Sequence, residues 1–172
     1  MYPSRLRLLF PIVLVLSVSL PLWAQKNPRT TAKFESSGKF VMIEYGRPSL
    51  KGRDMLSQAQ TGKVWRMGAD KSTTLTSSAK LSFGKTNFAA GSYSLWLRKI
   101  DEKTFHLVFN RAVGGWGTEY DPTQNVDSVP LDWSEGSESV EQFTINLNQV
   151  GKGGVLELLW GKTVLKADFV LN

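Results

Sequence analysis

GSYSLWLRKIDEKTFHLVFN, Gly91 to Asn110, is the stretch that decides the fold. Its apolar residues recur at every second position: Tyr93, Leu95 and Leu97, then Phe105, Leu107 and Phe109 after the polar segment KIDEK. Successive side chains leave a β-strand on opposite faces, so the alternation predicts two half-buried strands joined by a turn. The opposite positions carry Ser92, Ser94, Trp96 and Arg98, then His106, Val108 and Asn110. Trp96 and Val108 make that second face partly apolar, as expected where a strand has cover on both sides.

The same two-residue rhythm continues outward. It recurs at Phe143, Ile145 and Leu147, at Leu156, Leu158 and Trp160, and at Leu165, Ala167, Phe169 and Leu171. KFVMIEY (39–45) and TTLTSS (73–78) are further strand candidates. Glycine-rich and polar turns separate the runs: GRPSLKGR, FGKTN, AAGS, AVGGWG, EGSE and GKGG. No segment has helical periodicity, and DMLSQAQ (54–60) has room for one short turn of helix. Short strands at intervals of about 8–12 residues predict an all-β fold, an antiparallel β-sandwich (jelly-roll-like) or a partly open barrel, with little helix. Residues 38–172 form this single domain, preceded by an exposed lead-in over 25–37 in which Phe34 is placed to dock.

The first residues have a different character. MYPSRLRLLFPIVLVLSVSLPLWAQ places Arg5 and Arg7 before an apolar run that contains Pro11 and ends near Pro21. That plan is a secretory signal peptide over residues 1–24, cut after Ala24. The run is shorter than the roughly 20 apolar residues a membrane span needs. The mature chain is thus expected to be exported, periplasmic or secreted, with no membrane span after cleavage. Loss of 1–24 leaves 148 residues, nineteen basic against fifteen acidic, a net charge of +4. The cations are dispersed from Lys26 to Lys166. Nucleic-acid binding needs a clustered basic face, so no nucleic-acid partner is expected; weak attraction to an anionic glycan or envelope component is.

Cysteine is absent and His106 is the single histidine. Disulfides, a thioether anchor, thiol catalysis and thiolate metal sites are excluded, and a multi-histidine zinc site cannot form within one chain. A Ser-His-Asp site would have to run through His106, which reads as a half-exposed strand residue. DPTQNVD (121–127) lacks the glycine and glutamate of a calcium loop. No metal and no cofactor are expected.

Three stretches concentrate the remaining polar chemistry. In EYGRPSLKGR (44–53), Arg47, Lys51 and Arg53 follow Tyr45 in a glycine-bounded turn. They form a receptor for a carboxylate, phosphate or sulfate, or else solvent-facing turn residues pinned to Asp54 or Asp70. In VWRMGAD (64–70), Trp65 and Arg66 must point to opposite faces. Arg66 and Asp70 then flank a polar pocket, or Asp70 closes an Asx turn with Trp65 as core mass. In FNRAVGGWGTEYD (109–121), glycines surround Trp116 between Asn110 and Tyr120–Asp121. An indole on such a loop suits stacking on a sugar ring; alternatively it folds back as a lid over the sandwich end.

YGRPSLKGR, VWRMGADKST, AAGSYSLW, HLVFN and WGTEYD also occur in an order that resembles the DUF2911 family, a domain-of-unknown-function family of exported bacterial proteins. The resemblance runs over about residues 38–171 and implies a small, exported, mostly β domain, with no activity, cofactor or catalytic residue attached. The chain departs from the family pattern at Asp70, where that pattern has asparagine, and at Phe105, where it has tryptophan. An ionised aspartate only accepts hydrogen bonds, so no role resting on an amide carries over to position 70.

Together these features predict an exported β-sandwich that binds a polar or anionic ligand such as a cell-envelope glycan. The candidate site is Tyr45, Arg47, Arg66, Asp70, Asn110, Trp116 and Tyr120. A carboxylate-dependent hydrolase of envelope polysaccharide is the enzymatic alternative, drawing on Glu44, Asp70, Glu119 or Asp121. A structural or interaction domain, its arginines paired internally with acids, is the third.

Overall fold

The structure, a computed structural model, describes residues 27–54, 56 and 58–172. The expected signal segment lies outside the described residues, and no helix among them is long and apolar enough to cross a membrane. The chain forms β1 (Arg29–Ser36), β2 (Lys39–Gly46), β3 (Val64–Arg66), β4 (Thr73–Ser77), β5 (Leu81–Phe83), β6 (Thr86–Phe88), β7 (Gly91–Lys99) and β8 (Phe105–Asn110). Two long strands follow, β9 (Asn125–Val150) and β10 (Gly153–Leu171). All pairings are antiparallel, in the order β1-β2-β4-β7-β8-β9-β10-β5-β6, and β3 continues the β7 edge that β4 begins. The fold is all-β, as the alternation predicts.

The β7–β8 hairpin sets the register of the centre. Leu95 lies opposite Phe109 and Leu97 opposite Leu107, so the apolar face is continuous across the pair, and all four side chains are buried. The other face is covered as well. Trp96 is buried beneath Tyr120, with ring centroids 4.9 Å apart, and the loop after β8 forms that cover.

The second layer comes from a bend in the two long strands. Pairing between β9 and β10 breaks register on both sides of Gly161, whose φ of +61° suits glycine. On one side of the break β9 pairs with β8; on the other, Thr144–Val150 pairs with Gly153–Leu159. The folded-over sheet closes on rings: Phe34 meets Phe169 at 5.1 Å, Tyr45 meets Phe143 at 5.8 Å, and Phe88 stacks on Phe109 at 3.7 Å. Each large side chain so buried contributes about 1.5–3 kcal/mol, and in a chain without cysteine this core carries the stability.

The sheet does not close into a barrel. The outer edge of β1 and the 143–150 stretch of β9 run alongside one another without a strand ladder between them. The Tyr45 hydroxyl stands in for one rung: it accepts the Ile145 N–H at 2.9 Å and donates to the Ile145 carbonyl at 3.2 Å.

Residues 29–36 and the first part of β9 differ from the expectation. Residues 29–36, read as exposed lead-in, are an edge strand paired along its whole length with β2. Only Ala32 and Phe34 turn toward the core there, too few to establish a period, although Phe34 docks as its chemistry requires. The first part of β9 hides its strand character behind Pro130 and two aspartates, while Val129 and Leu131 are buried. Near the expected short turn, the Gln58 N–H donates to Asp54 O at 3.4 Å and the Ala59 N–H to Leu56 O at 3.3 Å; Met55 and Ser57 lie outside the described residues.

Candidate functional site

Two glycines bring the first two polar stretches together. Gly46 ends β2 directly against Ala69 and Gly68; a Cβ on Gly68 would sit 2.6 Å from the Gly46 carbonyl oxygen, and one on Gly46 would collide with Ala69 O. Gly68 also has φ +113°, and the Thr73 hydroxyl donates to Met67 O beneath it. The third stretch is fastened by backbone bonds. Gly117 N–H donates to Asp70 O at 2.8 Å and Ser72 N–H to Gly115 O at 3.0 Å, and Lys71 bridges Trp116. A side chain at Gly117 would press on Asp70 O and on the Arg66 stem.

Between these loops lies a cleft of about 490 Å³. Lys51, Arg53 and Arg66 bring three cations to it, Asp70 brings one carboxylate, and Trp116 stands on its rim, 47% exposed. Its inner wall is aromatic: Trp65 stacks on Trp160 at 5.4 Å, and both meet Phe143. Trp65 packs against the core while Arg66, its neighbour on β3, reaches the cleft. Among the described residues, no ion pair engages any of the three cations or Asp70. The cleft therefore presents uncompensated positive charge beside a free indole face.

Asp70 has φ +64°, a left-handed conformation that asparagine and aspartate tolerate better than other side chains.

Of the seven candidate residues, Arg66, Asp70 and Trp116 line this cleft. Arg47 is directed elsewhere: its Nε donates to Phe143 O at 3.3 Å and an Nη to Thr144 Oγ1 at 3.0 Å. Tyr45 is in the core on Ile145. Asn110, only 1% exposed, donates to Asp121 O at 2.7 Å and to Asn125 Oδ1 at 2.9 Å. Tyr120 shares that Asn125 amide, so this pair fixes the loop behind β8. Lys51, Arg53, Trp65 and Trp160 belong to the cleft in addition. The first two were visible as cations of the same turn. Trp160 carried no local signal, since its place is set by the β9–β10 bend about a hundred residues along the chain.

The other acids have separate duties. Glu119 accepts the Trp116 N–H at 2.9 Å, steadying the loop that carries the indole. Asp121 caps the short 3-10 turn Pro122–Gln124; the Thr123 hydroxyl and N–H hold its carboxyl below the usual carboxylate range. Glu44 is exposed on β2. His106 lies beside Ser128 at 3.4 Å, among strands β8 and β9. Among the described residues, no group of three or more His, Asp or Glu side chains is arranged to hold a metal ion.

No curated protein and no solved structure matches the chain. A family model does, over residues 27–169, from just before β1 to near the end of β10. By that match the chain belongs to the family described as Protein of unknown function (DUF2911).

Proposed function

We propose that this protein is an exported binding domain whose cleft takes an anionic glycan of the cell envelope, with a sugar ring against Trp116 and an acidic group at Arg66. The observation that carries this reading is the set of three cations without acidic partners beside an exposed indole. Guanidinium forks match carboxylate and sulfate, and a rigid aromatic face gives sugar contact at low entropic cost. Export is supported by the signal-like residues 1–24. Asp70 is the one carboxylate among the described lining residues, whereas glycoside hydrolysis through paired carboxylates uses two about 5–10 Å apart. That favours binding over hydrolysis. A purely structural role predicted arginines paired with acids; Arg47 and Arg53 instead bond to carbonyls and a hydroxyl.

The test is a glycan array followed by calorimetry on the wild type, Arg66→Ala and Trp116→Ala. Each substitution should weaken binding of an acidic glycan by about tenfold or more while leaving the melting temperature within a few degrees. A folded wild type that retains no acidic glycan, or variants that bind it undiminished, would refute the reading.

A further inference from the structure

The charges that line the Trp116 cleft differ in depth. Lys51 and Arg53 are exposed, whereas Arg66 and Asp70 are half-buried. The two deeper charges are therefore of opposite sign, and they are neighbours in the fold. A Cβ on Gly117 would lie 3.1 Å from Arg66 Cδ and 2.8 Å from Asp70 O. They nevertheless form no ion pair with each other. Among the described residues, neither the Arg66 guanidinium nor the Asp70 carboxylate has a hydrogen-bond partner. Main chain fixes both positions. Arg66 lies on β3 opposite Trp96 of β7, and Asp70 has φ +64° with its carbonyl oxygen taking the Gly117 N–H at 2.8 Å.

A charge that has lost part of its hydration gains from a ligand group of complementary chemistry. For Arg66 that group is an acid. For Asp70 it is a hydrogen-bond donor, because an ionised carboxylate only accepts. An acid without donors would satisfy the first and be repelled by the second. Sulfate is such an acid. A hexuronic acid is not, since one ring carries a carboxylate, neighbouring free hydroxyls and an apolar face.

We infer that Asp70 determines specificity and that the ligand is a uronic-acid residue. Its carboxylate lies on Arg66, two neighbouring hydroxyls donate to Asp70, and its ring face covers Trp116. This rests on the glycan reading above and narrows the acidic group to a carboxylate on a hydroxylated ring.

Calorimetric titration of the wild type and Asp70→Asn with glucuronic acid, galacturonic acid and inorganic sulfate tests this. Asparagine tolerates the left-handed backbone, so the variant should keep the wild-type melting temperature. The wild type should bind one of the uronic acids about tenfold or more tightly than sulfate. Asp70→Asn should weaken that uronic acid by about fivefold, a charged acceptor having become a neutral one. The same change should strengthen sulfate by about twofold or more, because a like charge is lost. A carboxylate that only set the local charge would instead, on its removal, let both ligands bind more tightly. Uronic-acid binding unchanged or improved in Asp70→Asn, sulfate bound as tightly as the uronic acids, or retention of sulfated glycans alone would overturn this inference and leave the cleft reading standing. A wild type that binds no acidic glycan would overturn both.

Discussion

Single positions in this protein separate into those that shape the cleft and those that furnish it. Gly68 shapes it, since both its backbone angle and the nearness of Gly46 O forbid a side chain. Gly68→Ala should cost about 2 kcal/mol or more, read as a lower urea midpoint. Arg66 and Trp116 furnish it, and their removal is expected to leave that midpoint nearly unchanged. The sequence displayed both classes, because glycines, cations and indoles crowd the same three stretches. It did not display which cations face inward. Arg47 and Arg66 look alike in sequence, yet one is turned onto the backbone of β9 and the other into the cleft. That choice depends on the strand opposite, and no local pattern encodes it.

At the scale of elements, the strands with a strict two-residue rhythm were legible: β7, β8, the second part of β9 and most of β10. The elements that escaped were β1, with two inward residues, the three-residue strands β5 and β6, and the proline-bearing start of β9. Short or edge strands bury too little to leave a period. The Tyr45 hydroxyl ties β2 to the folded-back end of β9, beside the Arg47 bonds to Phe143 and Thr144. Tyr45→Phe keeps the ring among Phe143 and its neighbours but leaves the buried Ile145 N–H without its partner. A loss of about 1–3 kcal/mol is expected, with amide exchange near Ile145 accelerating more than exchange in β7 and β8. A change confined to β7 and β8 would contradict this account of how the layers are held.

For the whole molecule, stability rests on an uncrosslinked core and on carboxylates held in their ionised form. Backbone N–H of Lys103 and the Thr104 hydroxyl lower the Asp101 carboxyl, and Thr123 lowers Asp121. At Glu157 burial pushes upward but is outweighed by the Asn146 amide and by Lys166, 2.9 Å away, so the net shift is downward. A carboxylate whose folded pKa is depressed contributes stability above its ordinary value and loses it as pH falls through the folded value. The melting temperature should therefore hold from neutrality to about pH 5 and decline below about pH 4.5. Glu157→Gln should shrink that decline by less than about 1 kcal/mol, because Lys166 is nearly half exposed. A melting temperature that climbs on acidification would contradict these assignments. The three loops around the cleft meet main chain to main chain, at Gly46, Gly68 and Gly117. The side chains projecting between them are thereby released from architectural duty. Natural divergence, or a randomised library at positions 53, 66 and 116, can redraw ligand preference while the scaffold stays intact.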